Sequence, residues 1–398
     1  MSNVSSSNSH KELIPKLHFN QFKENWNPYF FGALLEETDI RTKTENQDTL
    51  LSAAINGMFL NSELFGHQRG QSNKGYKLVQ HGDLILSTQN LHLGNANVNM
   101  RFEHGMVSPA YKTYRIVGCS SELLSHWVKS DKAKEFFFNA TTVGASVCRR
   151  NVEWETLYNQ IILLPQAEEQ SKIANFLSLI SERIEKQQNL VSALKSYKRG
   201  LLSLVFNDKS PTHILGDILK KGKAGGTPQS SNFSYYNGDI PFLSIADMTE
   251  QGKYIYCTEK HISEAGLQNS TAWIVPADSL ILSMYASYGL VSINKVPLAT
   301  SQAMFNMIFQ QDINVEYIYY FLTYLATTDY YTKMVSTGTQ PNLNAEKVRS
   351  IPLFIPSQNE QKHIVKLLQT YDNRLTTEEK ILTQLQMSKA ALLQQLFI

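Results

Sequence analysis

The chain has 398 residues, of which 42% are apolar and 11% aromatic, and its net charge is +2. This composition is globular and excludes a disordered chain, while the length suits two or three ordinary domains. The near-neutral balance excludes a polybasic binder, so any affinity for nucleic acid has to come from local patches.

In chain order, residues 1–20 are polar and lack the apolar stretch of a signal peptide, so a tail is expected there. No run of about 18 apolar residues occurs anywhere, which predicts no membrane span and a cytoplasmic location. Cys119, Cys148 and Cys257 show no CxxC spacing and the histidines form no HxxxH pair, so neither a disulfide framework nor a metal site is expected.

Residues 21–164 read as a first α+β domain, with strand signals interleaved with a few helices. Asn27-Pro28-Tyr29-Phe30 approaches the [DNS]-P-P-[YFW] segment of adenine methyltransferases. It lacks one proline and a nearby glycine-rich methyl-donor loop, so a turn before a strand is expected instead. A Gly-punctuated loop at 69–76 precedes the strand Leu84–Ser87 (LILS). The run 107–110 (VSPA) leads into a strand at 114–117, an aromatic-rich helical stretch at 122–138 and a closing strand Ile161–Leu164.

Residues 165–208 then read as a long helix, 209–355 as a second α+β domain and 356–398 as a second long helix. The second domain repeats the landmarks of the first: Leu280–Ser283 is again LILS, and 300–303 (TSQA) matches VSPA. A strand at 307–309, helical residues 315–331 and an apolar strand at 351–354 follow.

The two helical segments are copies of one another. Residues 165–206 align without a gap on 356–397, 191 positions later, with eleven identities that include Glu169/Glu360, Gln170/Gln361, Arg183/Arg374 and Lys198/Lys389. In heptad register Ile173, Leu177, Ile180, Ile184, Val191, Leu194, Leu201 and Val205 form one stripe. Ile364, Leu368, Tyr371, Leu375, Leu382, Leu385, Leu392 and Leu396 form the equivalent one, as in a coiled-coil seam. Both stripes break at the same polar positions, Gln187/Glu378 and Lys198/Lys389, which fits register-setting between the two helices. Ser357 and Glu360 have capping-box spacing. About 39 helical residues make a rod of roughly 58 Å, whereas a compact domain the size of 209–355 is roughly 40 Å across. Such a domain does not bridge the rod, so the helices are expected to run antiparallel. The expected fold is therefore α+β, with two domains separated by an antiparallel pair of long helices and a pseudo-twofold internal repeat.

This layout resembles the specificity subunit of type I restriction-modification systems. The resemblance rests on Glu169-Gln170 and Glu360-Gln361 at the helix starts, on Gly225-Gly226-Thr227-Pro228, on 238–248 (GDIPFLSIADM) and on 338–344 (GTQPNLN). One proline, not the usual two, precedes each EQ. The first domain lacks recognisable GGTP and GTQPNLN segments; in its loop 144–151 only Asn151 aligns, with Asn342. The resemblance implies that each domain is a target-recognition domain reading half of a split double-stranded DNA site. The helices would serve as a spacer and as the docking surface for two methyltransferase subunits, which restriction motor-nuclease subunits join. S-adenosylmethionine, ATP and Mg would be bound by those partners and no cofactor by this chain. The competing readings are a stand-alone two-headed DNA-binding or anti-restriction module, and a coiled-coil interaction scaffold.

A non-catalytic role agrees with the absence of a GxxxxGK[ST] motif from the sequence. Glu378-Glu379-Lys380 matches half of a nuclease signature, but a solvated charge run on the exposed face of the second helix is expected. Base edges are read by Arg, Lys, Asn and Gln, and phosphates are gripped by Lys, Arg, Ser and Thr. The candidates in the first domain are Arg69, Gln71, Ser72, Lys74 and Tyr76, then Gln89 and Asn90 after LILS, then Arg149 and Arg150. In the second they are Lys220, Lys221, Lys223, Thr227, Gln229 and Ser230, then Tyr285 and Ser287 after LILS, then Gln340, Asn342 and Asn344. For docking of partner subunits the candidates are Glu169, Gln170, Arg183, Glu360, Gln361 and Arg374.

Overall fold

The structure is a computed structural model that describes residues 14–65, 72–146, 149–285, 287–335 and 342–398, with the side chains of 144–146 and 149 left out. Helix and strand are mixed throughout. The chain forms two compact units. The first runs to Gln188 and includes Lys380–Ile398; the second is Asn189–Glu379.

Each unit is built on the LILS strand. Side chains alternate across a strand, and here both faces are covered. In the first unit Leu84 and Leu86 pack with Phe31, Trp127 and Phe137, while Ile85 faces Leu51, Val79 and Val107. In the second, Leu280 and Leu282 pack with Phe305, Tyr317 and Tyr320, and Ile281 faces Met248, Val275 and Leu298. A strand covered on both faces reads as an unbroken apolar run, which is why the motif was visible in the sequence.

The sheet around this strand has the same order in both units. Leu35–Thr38, Tyr111–Ile116, Leu84–Ser87 and Ala96–Val98 lie side by side in the first, all antiparallel. Leu219–Ala224, Met304–Phe309, Leu280–Ser283 and Val291–Asn294 repeat that order in the second, with Tyr254–Ile255 added in parallel at the edge. A short antiparallel pair closes each unit: Asn27–Phe30 with Ile161–Leu164, and His213–Ile214 with Pro352–Leu353. The NPYF segment is thus itself a strand and not the turn expected before one.

The helical stretch expected at 122–138 is two helices, Ser121–Trp127 and Asp131–Asn139. Ser130 separates them: its hydroxyl donates to the Trp127 carbonyl and accepts from the Ala133 N–H, capping the second helix. The stretch at 315–331 likewise splits into Val315–Ala326 and Tyr330–Met334.

The long helices span Ala167–Phe206 and Gln358–Leu396. Their starts are 191 residues apart, and so are the two points at which the units divide, after Gln188 and after Glu379. The expected capping box forms, with Glu360 Oε2 accepting from the Ser357 N–H at 3.0 Å and the Glu360 N–H donating to Ser357 Oγ. Every residue of the two apolar stripes is buried or half-buried. Within the first unit Ile173 and Leu177 share a core with Leu393 and Leu396, and Lys389 reaches Ser181. Within the second, Lys195 pairs with Glu379, Lys198 with Asp372, and Leu202 shares a core with Val365 and Leu368. In each unit the partner number falls as the residue number rises, so the helix segments pair antiparallel. Glu379 pairs with Lys195 at 2.7 Å, and both side chains remain solvent-accessible, as expected of a charge run on the helix surface.

Candidate nucleic-acid interface and helix anchors

In the second unit the turn at 300–303 gathers loops that are distant in sequence. Gly225 and Gly226 leave the strand Leu219–Ala224 pressed onto it: the Gly226 N–H donates to the Thr300 carbonyl at 2.9 Å. A Cβ on Gly225 would lie 2.1 Å from the Thr300 carbonyl oxygen, and one on Gly226 2.2 Å from Thr271 Oγ1. The two glycines therefore serve close backbone packing, and they deliver Thr227, Gln229 and Ser230 to the surface. Thr227 Oγ1 donates to Gln302 Oε1 on the same turn. The Met284 N–H donates to the Ala303 carbonyl and the Leu343 N–H to the Met284 carbonyl. Tyr285, Ser287 and Asn342 are thereby brought to this region. Gln302 was not among the sequence candidates; its signal was the match of TSQA with VSPA, which was read only as a landmark.

Lys220, Lys221 and Lys223 are exposed on the preceding strand, with the Lys221 ammonium 3.8 Å from the Trp273 ring centre. Asn344 is a correction. Its Oδ1 accepts from the Lys347 N–H at 2.8 Å and caps the helix Ala345–Arg349, so its position reflects helix capping. Gln340 lies outside the described residues.

The first unit places its candidates on separate supports. Gln89 and Asn90 are exposed, their N–H groups held by Ser87 Oγ, beside Thr88, whose hydroxyl donates to the Ala110 carbonyl at 2.8 Å. The Thr88 N–H also donates to the Ala110 carbonyl, the equivalent of the bond from the Met284 N–H to the Ala303 carbonyl. Ser72, Lys74 and Tyr76 sit on a turn pinned elsewhere, by the buried Asn73 against Asn46 and by Thr42 against Tyr76. Arg150 is a second correction. Its guanidinium donates to Thr141 Oγ1 and to the Thr141 carbonyl, both at 2.7 Å, and lies over the Phe138 ring at 4.2 Å. It closes its own hairpin and is not presented to a ligand. Arg69 and Gln71 lie outside the described residues, as does the side chain of Arg149.

The helix starts also correct the sequence reading. Gln170 Oε1 accepts from the Ser120 N–H at 2.9 Å and its Nε2 donates to the Pro165 carbonyl. Gln361 Oε1 accepts from the Asn314 N–H at 2.8 Å and its Nε2 donates to the Pro356 and Asp312 carbonyls. Ser120 and Asn314 are the N-caps of the equivalent helices Ser121–Trp127 and Val315–Ala326. Each glutamine thus ties its long helix to the cap of its own domain's helix. Glu169, Gln170 and Gln361 are buried within this chain. Arg183, Glu360 and Arg374 remain exposed.

Further along the helices the internal repeat is broken in charge. Asp372 pairs with Lys198 at 2.5 Å and accepts from Tyr320 Oη, and Glu316 lies beside Lys253 in the same network. The positions equivalent to Asp372 and Lys198 in the first unit are Ser181 and Lys389, joined only by a hydroxyl contact of 2.7 Å. Burial, with the Lys389 charge nearby, pushes His126 down to about 4. That value lies below the usual one near 6.5, so the unfolded chain takes up this proton first. The first unit should lose stability as the pH falls from about 6.5 towards 4, by about 2 kcal/mol at pH 5. Urea melts of His126→Gln at pH 7 and pH 5 check this; the variant should lack that loss.

Among the described residues no cluster of His, Cys, Asp and Glu could hold a metal ion, and no helix is long and apolar enough to cross a membrane.

With this geometry in hand, residues 209–387 match the family model described as the type I restriction modification DNA specificity domain. Residues 209–387 are thus similar to the DNA specificity domain of type I restriction-modification systems. It is 32% identical over 177 residues to the HindI specificity subunit of Haemophilus influenzae, covering 43% of this chain and 37% of that one. It is 26% identical over 214 residues to the EcoR124I/EcoR124II specificity subunit of Escherichia coli, covering 51% and 52%. These alignments span between about a third and half of the relatives' own length. The solved structure of a type I restriction-modification S subunit from M. genitalium shares the fold, with a TM-score of 0.57 at 17% identity, covering 97% of this chain and 99% of that one.

Proposed function

We propose that this chain is the DNA-recognition subunit of a type I restriction-modification assembly and is itself non-catalytic. Each unit reads one half of a bipartite, asymmetric double-stranded site. The antiparallel long helices form a coiled-coil spacer that sets the distance between the half-sites and docks two methyltransferase subunits. Restriction motor-nuclease subunits join that core. S-adenosylmethionine, ATP and Mg belong to the partners.

One observation carries this reading. The family match covers residues 209–387, yet the first unit repeats the strand order and the glutamine anchor of that region. A single DNA-specificity architecture therefore occurs twice, with different loops on a common scaffold. Common scaffolds suit two copies of the same enzyme subunit; different loops suit two different half-sites. With the buried Glu169, Gln170 and Gln361 removed from consideration, Arg183 and Arg374, at equivalent exposed positions, and Glu360 are the docking residues. Thr227, Gln229, Ser230, Gln302, Tyr285, Ser287 and Asn342 form the reading surface of the second unit, with Lys220, Lys221 and Lys223 on phosphates. Gln89 and Asn90, with Ser72, Lys74 and Tyr76, do the same for the first.

Affinity purification of the full chain co-expressed with its methyltransferase tests the assembly. Two methyltransferase chains per copy should be recovered, and Arg183→Glu and Arg374→Glu should each lose one. Recovery of the chain alone, with sequence-specific DNA retention intact, would instead favour a stand-alone DNA-binding module.

A further inference from the structure

The segment 228–238 of the second unit holds its backbone firmly and leaves one aromatic ring without a partner. Phe233 is 85% exposed, the most exposed large apolar side chain among the described residues. Burying a phenylalanine stabilises a fold by roughly 2–3 kcal/mol, and here none of that is gained. The loop that carries the ring is nevertheless tied down by several hydrogen bonds. The Asn232 N–H donates to the Gln229 carbonyl, and Asn232 Oδ1 accepts from the N–H and hydroxyl of Ser234. Tyr236 Oη donates to the Pro228 carbonyl at 2.7 Å, and Ser263 Oγ to the Ser234 carbonyl at 2.7 Å.

Two glycines bring the neighbouring backbone against this loop. A Cβ on Gly266 would lie 2.4 Å from the Tyr235 carbonyl oxygen, and one on Gly238 2.5 Å from Ser263 Cα. The loop is thus clamped at both ends, while the ring itself contributes nothing to the clamp.

The same anchored segment carries the exposed Gln229 and Ser230 next to Thr227. Those side chains supply hydrogen bonds; Phe233 adds a rigid apolar π surface that cannot hydrogen-bond. On double-stranded DNA such a surface meets the apolar part of a nucleobase, either a π face opened at a base step or the C5-methyl of thymine. We infer that Phe233 is a base-contacting, specificity-determining residue of the half-site read by the second unit, which rests on the DNA-recognition reading above.

The test uses the full chain co-expressed with its methyltransferase, with methylated motifs mapped by sequencing and affinity measured on the mapped site. Phe233→Ala should degrade one half-site at one or two positions, leave the other intact and weaken binding roughly tenfold or more. Its melting temperature should equal that of the parent, because the ring is 85% exposed and so contributes little to the fold. Phe233→Trp should retain binding if the ring stacks, and Phe233→Leu if it contacts a methyl group. In the methyl case, uracil in place of one thymine weakens the parent and not Phe233→Ala. An unchanged motif with affinity within twofold, or equal loss in both halves, would overturn the assignment. A parent chain that directs no bipartite motif would instead remove the DNA-recognition reading itself.

Discussion

Replacing Gln361 with alanine is expected to destabilise the second unit by about 4 kcal/mol. The side chain is 1% exposed and serves three backbone groups at once: it accepts from the Asn314 N–H and donates to the Pro356 and Asp312 carbonyls. Removing it leaves these groups unpaired where water does not readily replace the amide. Hydrogen exchange should rise at 312–316 and 356–361 and remain at parent levels in the first unit. Gln361→Glu separates packing from donation. A carboxylate keeps the acceptor for Asn314 but cannot donate to either carbonyl, so this variant should also be destabilised at pH 7 and regain part of the loss on acidification. Gln170→Ala should behave as the counterpart in the first unit, where it frees the Ser120 N–H and the Pro165 carbonyl.

Asp372→Ser is expected to destabilise the second unit by about 3 kcal/mol. The substitution copies into that unit what the first already has at Ser181, and leaves Lys198 without its carboxylate and Tyr320 without its acceptor. Adding Lys198→Met should recover much of the loss, since the penalty lies in the uncompensated charge. The reciprocal change, Ser181→Asp, should pair with Lys389 and stabilise the first unit by about 1 kcal/mol. It should also bring His126 back towards its usual range. Equilibrium urea unfolding of all three variants checks the set; a Ser181→Asp variant less stable than the parent would contradict the proposed equivalence of the two sites.

The architecture was legible in the sequence where the code is local. The period of the apolar stripes marks the long helices, the repeat of 165–206 at 356–397 marks their equivalence, and the unbroken LILS runs mark strands covered on both faces. Ser130 is a cap-forming residue inside the stretch 122–138, a local signal that this stretch divides into two helices. What was not legible depends on contacts far apart in the chain. Gln170 meets a residue 50 positions away and Gln361 one 47 positions away. No local pattern distinguishes such an anchor from a docking motif, so the glutamines were recognised and given the wrong role. Arg150 and Asn344 failed for a related reason. Side chains able to read a base are also able to close a hairpin or cap a helix, and only the fold shows which they do. Gln302 was missed in the opposite direction: nothing adjacent to it in sequence announces that its turn gathers the loops at 227–230, 285–287 and 342.

Under the proposed function, this chain directs DNA modification to a two-part site. The decisive experiment is sequencing of methylated bases in cells that express the chain with a type I methyltransferase subunit from the same organism. The expected result is one methylated motif made of two unlike half-sites separated by an unread gap on the order of one helical turn, present only when this chain is present. A methylation pattern that is independent of the chain, or a single continuous motif without a gap, would contradict it.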